Sequence, residues 1–179
     1  MYFISDLHLG HKNILKFCPD RGGSSVIEHS EWIVEQYNSV IKKRDTVWIL
    51  GDVCFDSDHF KYMEQLKGQK NMLWGNHDKM SLETYQKYFR LVYGFRKKYG
   101  FWISHAPIHP QELRNTVNIH GHVHQNHILD ANGQPDLRYF NVCVDACDGK
   151  PVHIDDIKQR QQDIFGGRHD PRKSPNWKS

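Results

Sequence analysis

Short apolar runs that stop abruptly at polar residues recur along the chain. Tyr2 to Ser5 is the first; it predicts a buried strand that begins almost at the N-terminus and delivers Asp6 and His8 from its C-terminal end. Arg21, Gly22, Gly23, Ser24 and Ser25 read as a loop, after which Trp32, Ile33, Tyr37, Val40 and Ile41 recur at helical spacing and predict a helix from Ser30 to Lys42. The pattern then repeats. Thr46 to Leu50 predicts a strand ending in Gly51 and Asp52, Asp58 to Leu66 a helix, and Asn71 to Trp74 a strand ending in Gly75, Asn76, His77 and Asp78. In open α/β sheets ligands bind outside the carboxyl ends of the strands, so these polar ends are expected to converge.

From Phe89 the chain turns strand-like, with runs at Leu91 to Tyr93, Phe95 to Tyr99, Phe101 to Ser104, Val117 to Ile119 and Tyr139 to Val144. Two of them lead into histidine, at Ser104-His105 and across Asn118 to His124. Asn132-Gly133 and Asp148-Gly149 read as turns, and Ile154 to Ile164 as a closing helix. The expected class is therefore α/β with a β-rich second half: one domain over residues 1–166, then a basic, weakly ordered tail over 167–179.

Composition refines this picture. Hydrophobic residues make up 38% of the 179 and five are tryptophan, enough for a packed core. Trp32, Trp48, Trp74 and Trp102 are assigned to it. No run of about 18 apolar residues occurs and the start lacks a signal-peptide pattern, so the expected compartment is the cytoplasm, with no membrane contact. The net charge of +3 is uneven: Lys158 to Ser179 carry +4 and the first 157 residues carry −1, which argues against a broad basic groove for duplex nucleic acid. Cys18, Cys54, Cys143 and Cys147 lack paired zinc-ribbon spacing and read as reduced, mostly buried thiols. Thirteen histidines are the outlier and point to metal.

The candidate ligands are Asp6 and His8 (D-x-H), Asp52 (GD), Asn76 (GNHD), His105 (SHAP), and His122 with His124 (GHxH). Alternate residues of a strand point the same way, so each i, i+2 pair is expected to aim two donors into one space. Oxygen and imidazole donors without thiolate suit Mn²⁺, Fe, Zn²⁺ or Ni²⁺. Seven donors with Asp52 shared supply four to each of two metals, which would activate a bridging hydroxide and neutralise phosphoryl charge. His77 is the candidate general acid for a leaving alkoxide, with Asp78 expected to hold its other ring nitrogen; Asp78 is also a good helix cap. His11 and Arg21 follow the first motif and are candidates for contact with a substrate phosphate, an ordinary loop contact being the alternative. His120 is assigned a supporting role behind the ligands, and His109, His127 and His153 structural or surface roles.

In order and spacing, D6-L-H8, G51-D52, G75-N76-H77-D78, His105 and G121-H122-V123-H124 resemble the calcineurin-like metallophosphoesterase superfamily, from Asp6 to about Ile157. The resemblance implies two facing mixed β-sheets flanked by helices, an α/β/β/α sandwich. It also implies one metal on Asp6, His8, Asp52 and His124, the other on Asp52, Asn76, His105 and His122, and His77 with Asp78 as the catalytic pair. The stretches DLHLGHKNILKFC, NIHGHVH and NVCVDACDGKPVHIDDI are similar to the small stand-alone phosphoesterases of bacteria and phages. G51-D-V-C-F-D-S-D departs from the aspartate-arginine-glycine continuation of the protein phosphatases. The expected activity is hydrolysis of phosphodiesters in nucleotides, cyclic nucleotides or nucleic-acid ends, with no obligatory protein partner. A phosphomonoesterase and a non-catalytic metal-binding scaffold are the rival readings.

Overall fold

A computed structural model describes residues 1–166. The chain runs β1 (Tyr2–Ile4), α1 (Ile14–Phe17), α2 (Val26–Val40), β2 (Thr46–Ile49), a 3₁₀ helix at Ser57–Glu64, β3 (Gln69–Leu73), α3 (Leu82–Gln86), β4 (Val92–Tyr93), β5 (Phe95–Lys98), β6 (Phe101–Ser104), α4 (Pro110–Leu113), β7 (Asn118–His120), β8 (Tyr139–Asn141), a short 3₁₀ turn at Val144–Ala146, β9 (Val152–His153) and α5 (Ile154–Phe165). Two mixed sheets form, in the orders β4-β3-β2-β1-β9 and β5-β6-β7-β8. β1 to β4 are mutually parallel and β9 is antiparallel to β1; β6, β7 and β8 are parallel and β5 is antiparallel to β6. This is the sandwich that the sequence led us to expect.

The central strands of the first sheet are continuous apolar runs because both of their faces are covered. Ile4, Val47, Ile49 and Met72 point into a cluster with Ile33 and Tyr37 of α2 and with Phe60 and Met63. Their neighbours Phe3, Trp48, Leu50 and Leu73 meet Phe101, Ile103, Val117 and Ile119 of the second sheet, with Ile154 and Ile157 of α5. Trp32 and Trp74 are half-buried against the first of these clusters.

Several boundaries differ from expectation for local reasons. α2 starts at Val26 because Ser25 caps it, accepting from Glu28 N at 3.2 Å, while the Glu28 carboxylate accepts from Ser24 N at 2.7 Å. The helix expected from Asp58 to Leu66 is 3₁₀ and ends at Glu64: Phe60 and Met63, one turn of that helix apart, are both buried, and Leu66 is buried just beyond its end. The run from Tyr139 to Val144 is not one strand. β8 ends at Asn141 and the chain crosses to the first sheet, where Ser5 N donates to Val142 O at 2.8 Å and Val144 N to Ser5 O at 3.0 Å. This crossing stitches the sheets together at the end where the motif residues gather. The expected tail, 167–179, lies outside the described residues.

Candidate metal centre

Asp6, His8, Asp52, Asn76, His105, His122 and His124 come together at the carboxyl ends of β1, β2, β3, β6 and β7. His8 Nε2 lies 3.5 Å from Asp6 Oδ1 and 3.8 Å from Asp52 Oδ2. His105 Nε2 lies 3.6 Å from Asp52 Oδ2, 2.9 Å from Asn76 Oδ1 and 3.2 Å from His122 Nδ1. The rings of His8 and His124 stack with centroids 5.2 Å apart. Donor atoms of Asp6, His8 and His124, and likewise of Asp6, Asp52 and His105, lie within 4.8 Å of one another.

The paired motifs do not sit in strands. Asp6, His8, Asp52, His122 and His124 have φ of 60°, 50°, 52°, 74° and 52°, the left-handed region, so the expected strand alternation is replaced by tight turns just past the strand ends. The glycines of the motifs make room for this packing. A methyl on Gly75 would collide with the Asp52 carboxylate, and one on Gly121 with Ser5 Oγ and the Asp6 carboxylate.

The donor chemistry fits cations. Asp6 Oδ1 and both ring nitrogens of His8 are buried without a hydrogen-bond partner in the protein, although buried polar groups are normally paired. Burial alone would raise the Asp6 carboxyl, yet His8 and His105 beside it hold it well below the usual carboxylate range. Burial lowers His8 and so favours the neutral ring that a metal requires.

A model of the calcineurin-like phosphoesterases matches residues 1–172. The chain belongs to this family. It is 32% identical to an uncharacterized protein of Methanocaldococcus jannaschii over 87% of each chain. It is 35% identical to the gene 66 protein of Mycobacterium phage L5, across 87% of this chain and 91% of that one. Its fold is similar to a protein of unknown function from Aquifex aeolicus, with a TM-score of 0.69 and 28% identity across 89% of this chain and 97% of that one. Family and ligand cluster together support a metal-dependent phosphoesterase. Among the described residues, no helix is long and apolar enough to cross a membrane.

For a calcineurin-like phosphoesterase, three expected roles need correction. Asp78 does not hold His77. Its Oδ1 accepts from Val53 N at 2.9 Å and Tyr85 OH at 3.2 Å, and its Oδ2 from Asp52 N at 2.9 Å and Gly75 N at 2.8 Å, which fills the acceptor capacity of the carboxylate. Nor does it cap the next helix, a role taken by Ser81. The His77 ring instead leans on Phe55, centroids 4.9 Å apart, and its main-chain N–H donates to Asp52 Oδ1 at 2.9 Å. Arg21 is not at the surface to meet a phosphate. It is buried, with Nε and Nη2 on the two oxygens of Asp145 at 2.8 and 2.7 Å, Nη2 also on Asp6 O at 3.0 Å, and Nη1 on Leu7 O at 3.4 Å. His11 remains on the rim, half-buried, its ring edge-on to Phe55 at 4.3 Å. His120 is buried with Nδ1 against Gly121 O, burial pushing it down to about 4. His109 and His153 cap α4 and α5.

Asp145 is the residue that sequence reading missed. Its Oδ2 lies 2.7 Å from His124 Nδ1, and against the effect of burial its bonds to Arg21 and His124 hold it far below the usual carboxylate range. Its partners lie 21 and 124 positions away, so no local motif marks it. The four cysteines are free; Cys143 donates to Asp6 Oδ2 at 3.0 Å and Cys18 Sγ lies 3.6 Å from His124 Nδ1.

Proposed function

We propose that the chain hydrolyses phosphodiester bonds with two divalent cations, its substrate a nucleotide, a cyclic nucleotide or a nucleic-acid end. The observation that carries this reading is the position of Asp52: one oxygen lies 3.8 Å from His8 Nε2 and 3.6 Å from His105 Nε2, so a single carboxylate faces both halves of the cluster. Asp6, His8, Asp52 and His124 would hold one cation, and Asp52, Asn76, His105 and His122 the other. Mn²⁺ leads, with Fe, Zn²⁺ and Ni²⁺ compatible with the same donors. Cations bound there supply Lewis acidity toward phosphoryl oxygens and bring the pKa of a water from near 16 toward about 7.

The remaining work falls to the protein. His77, at the mouth with its ring centroid 6.1 Å from that of His8, is placed to give a proton to the leaving alkoxide, the step that matters most for a diester. Phe55 orients that ring in place of Asp78, while Asp78 holds the turns that carry Asp52 and Asn76. His11, whose ring also packs on Phe55, offers the rim a contact for a phosphate oxygen. The reading includes a cytoplasmic location and needs no protein partner.

The test is metal-reconstituted turnover: the chain is stripped with chelator, given Mn²⁺, Ni²⁺, Zn²⁺ or Mg²⁺ separately, and assayed on bis-nitrophenyl phosphate beside nitrophenyl phosphate. Diester preference with Mn²⁺ or Ni²⁺ is expected. Monoester preference would replace the reading with a phosphatase, and no turnover despite two bound metals with a scaffold.

A further inference from the structure

Arg21 and Asp145 form a buried ion pair directly behind the ligand cluster, and every contact the pair makes with the cluster falls on one half of it. The guanidinium donates to Asp6 O and Leu7 O, the carbonyls inside the D-x-H turn, whose Asp6 and His8 are held at φ of 60° and 50°. Asp145, gripped at 2.8 and 2.7 Å by that same guanidinium, presents Oδ2 to His124 Nδ1 at 2.7 Å. A carboxylate only accepts, so Nδ1 carries the hydrogen and Nε2 is left as the lone-pair nitrogen. The fifth contact of Arg21 is with His29 Nε2 at 3.4 Å, away from the cluster. Among the described residues, neither member of the pair bonds to Asn76, His105 or His122; those are tied to each other, through His105 Nδ1 to Leu50 O at 2.7 Å, and through His122 N to Asp6 Oδ2 at 2.9 Å.

We propose that Arg21 and Asp145 are positioning residues for one metal position alone, the one that Asp6, His8, Asp52 and His124 would hold. This rests on the two-metal reading above. The pair fixes the ring of His124 and the left-handed turn of Asp6 and His8 before any cation arrives, so that position is preorganised by side-chain charge. The other is built without it.

The experiment is a Mn²⁺ titration of the chelator-stripped full chain against a chromophoric competitor, with EPR distinguishing paired from isolated ions. It compares the wild type, Asp145→Asn, and Arg21→Met combined with Asp145→Asn. The double variant removes both buried charges, so neither is left unpaired if the single variant fails to fold. Both variants are expected to lose about 10- to 100-fold in affinity for one equivalent, to keep the other, and to change from a paired to an isolated Mn²⁺ spectrum. Two equivalents at wild-type affinity in a folded variant, with only a lower Tm, would make the pair a plain structural link and overturn the proposal; equal weakening of both equivalents would overturn it too. A wild type that binds a single equivalent would instead overturn the two-metal reading, and the asymmetry with it.

Discussion

Two buried carboxylates frame the ligand cluster from opposite sides, and they do so by different means. Asp78 gathers three main-chain N–H groups, from Asp52, Val53 and Gly75, and so locks the turn after β2 to the turn after β3. Asp145 gathers side chains, a guanidinium and an imidazole, and locks the turn after β1 to the turn after β7. Their ionisation separates accordingly. Burial raises the Asp78 carboxyl above its ordinary range in spite of three amide bonds, whereas Arg21 and His124 drive Asp145 below its range against the same penalty. Neutral dipoles fix a shape but only partly offset desolvation; a full charge at hydrogen-bond distance does both.

The largest expected effect comes from breaking the main-chain side. Asp78→Ala would strand three buried amides and the Tyr85 hydroxyl, at roughly 1–3 kcal/mol for each unsatisfied group, so a loss of about 4 kcal/mol or more is expected in urea unfolding of the metal-free chain. A loss under about 1 kcal/mol would show that the turns hold their shape without Asp78, and the contrast between the two sides would fall.

The same contrast explains what the sequence made legible. Asp78 belongs to the contiguous G75-N76-H77-D78 motif and its partners Asp52 and Gly75 belong to motifs too, so its place at the site was readable even though its role was not. The strand ends were readable for a related reason: each central apolar run of the first sheet, β1, β2 and β3, is covered on both faces and stops where the site begins. Asp145 has no such neighbourhood. It becomes functional only when the crossing of Val142 to Val144 onto Ser5 carries it behind His124, an event of tertiary structure. Arg21 was misread because a cation next to a ligand motif looks alike in sequence whether it faces solvent or, as here, the core. Left-handed backbone at five ligands was equally hidden, since no residue type there except the flanking glycines signals it.

Acid sharpens the comparison on the side-chain half. His29 is buried, with Nε2 3.4 Å from Arg21 Nη1, so its ring must stay neutral to accept from the guanidinium. Burial first, then the charge of Arg21, pushes it down to about 3 from an ordinary 6.5. In the unfolded chain the ring takes up its proton as pH falls through 6.5, whereas the folded chain refuses it until near 3. Stability is therefore complete above 6.5 and declines between 6.5 and 3, reaching a loss of at most about 3 kcal/mol at pH 4 from this residue. The Asp145 carboxylate adds nothing above about pH 5, where both states keep it ionised; below that the unfolded chain begins to protonate it while the folded chain does not, so it adds to the loss only as pH nears 4. Urea midpoints from pH 8 to 4 measure the slope, and His29→Gln is expected to flatten it; an unchanged slope would place the acid sensitivity elsewhere, in His120 or the ligands.

The smallest effect lies at the rim, which neither carboxylate holds. His11 and Arg21 follow the same motif, yet only His11 is half-exposed, packed edge-on against Phe55 with no tie to the frame beyond its own turn, where Nδ1 accepts from Asn13 N at 3.2 Å. His11→Ala removes half-exposed ring contacts with Phe55, His8 and Phe17, the closest of them worth about 0.5–1.5 kcal/mol, so the urea midpoint shifts little and the Mn²⁺ titration is unchanged. If His11 meets a phosphate oxygen of the bound substrate, KM for a nucleotide diester rises several-fold while kcat holds, because a contact present equally in ground and transition states is lost. An unchanged KM would remove His11 from the substrate surface. A falling kcat with constant KM would move it inward, next to His77, and make the rim part of the machinery that the two carboxylates frame.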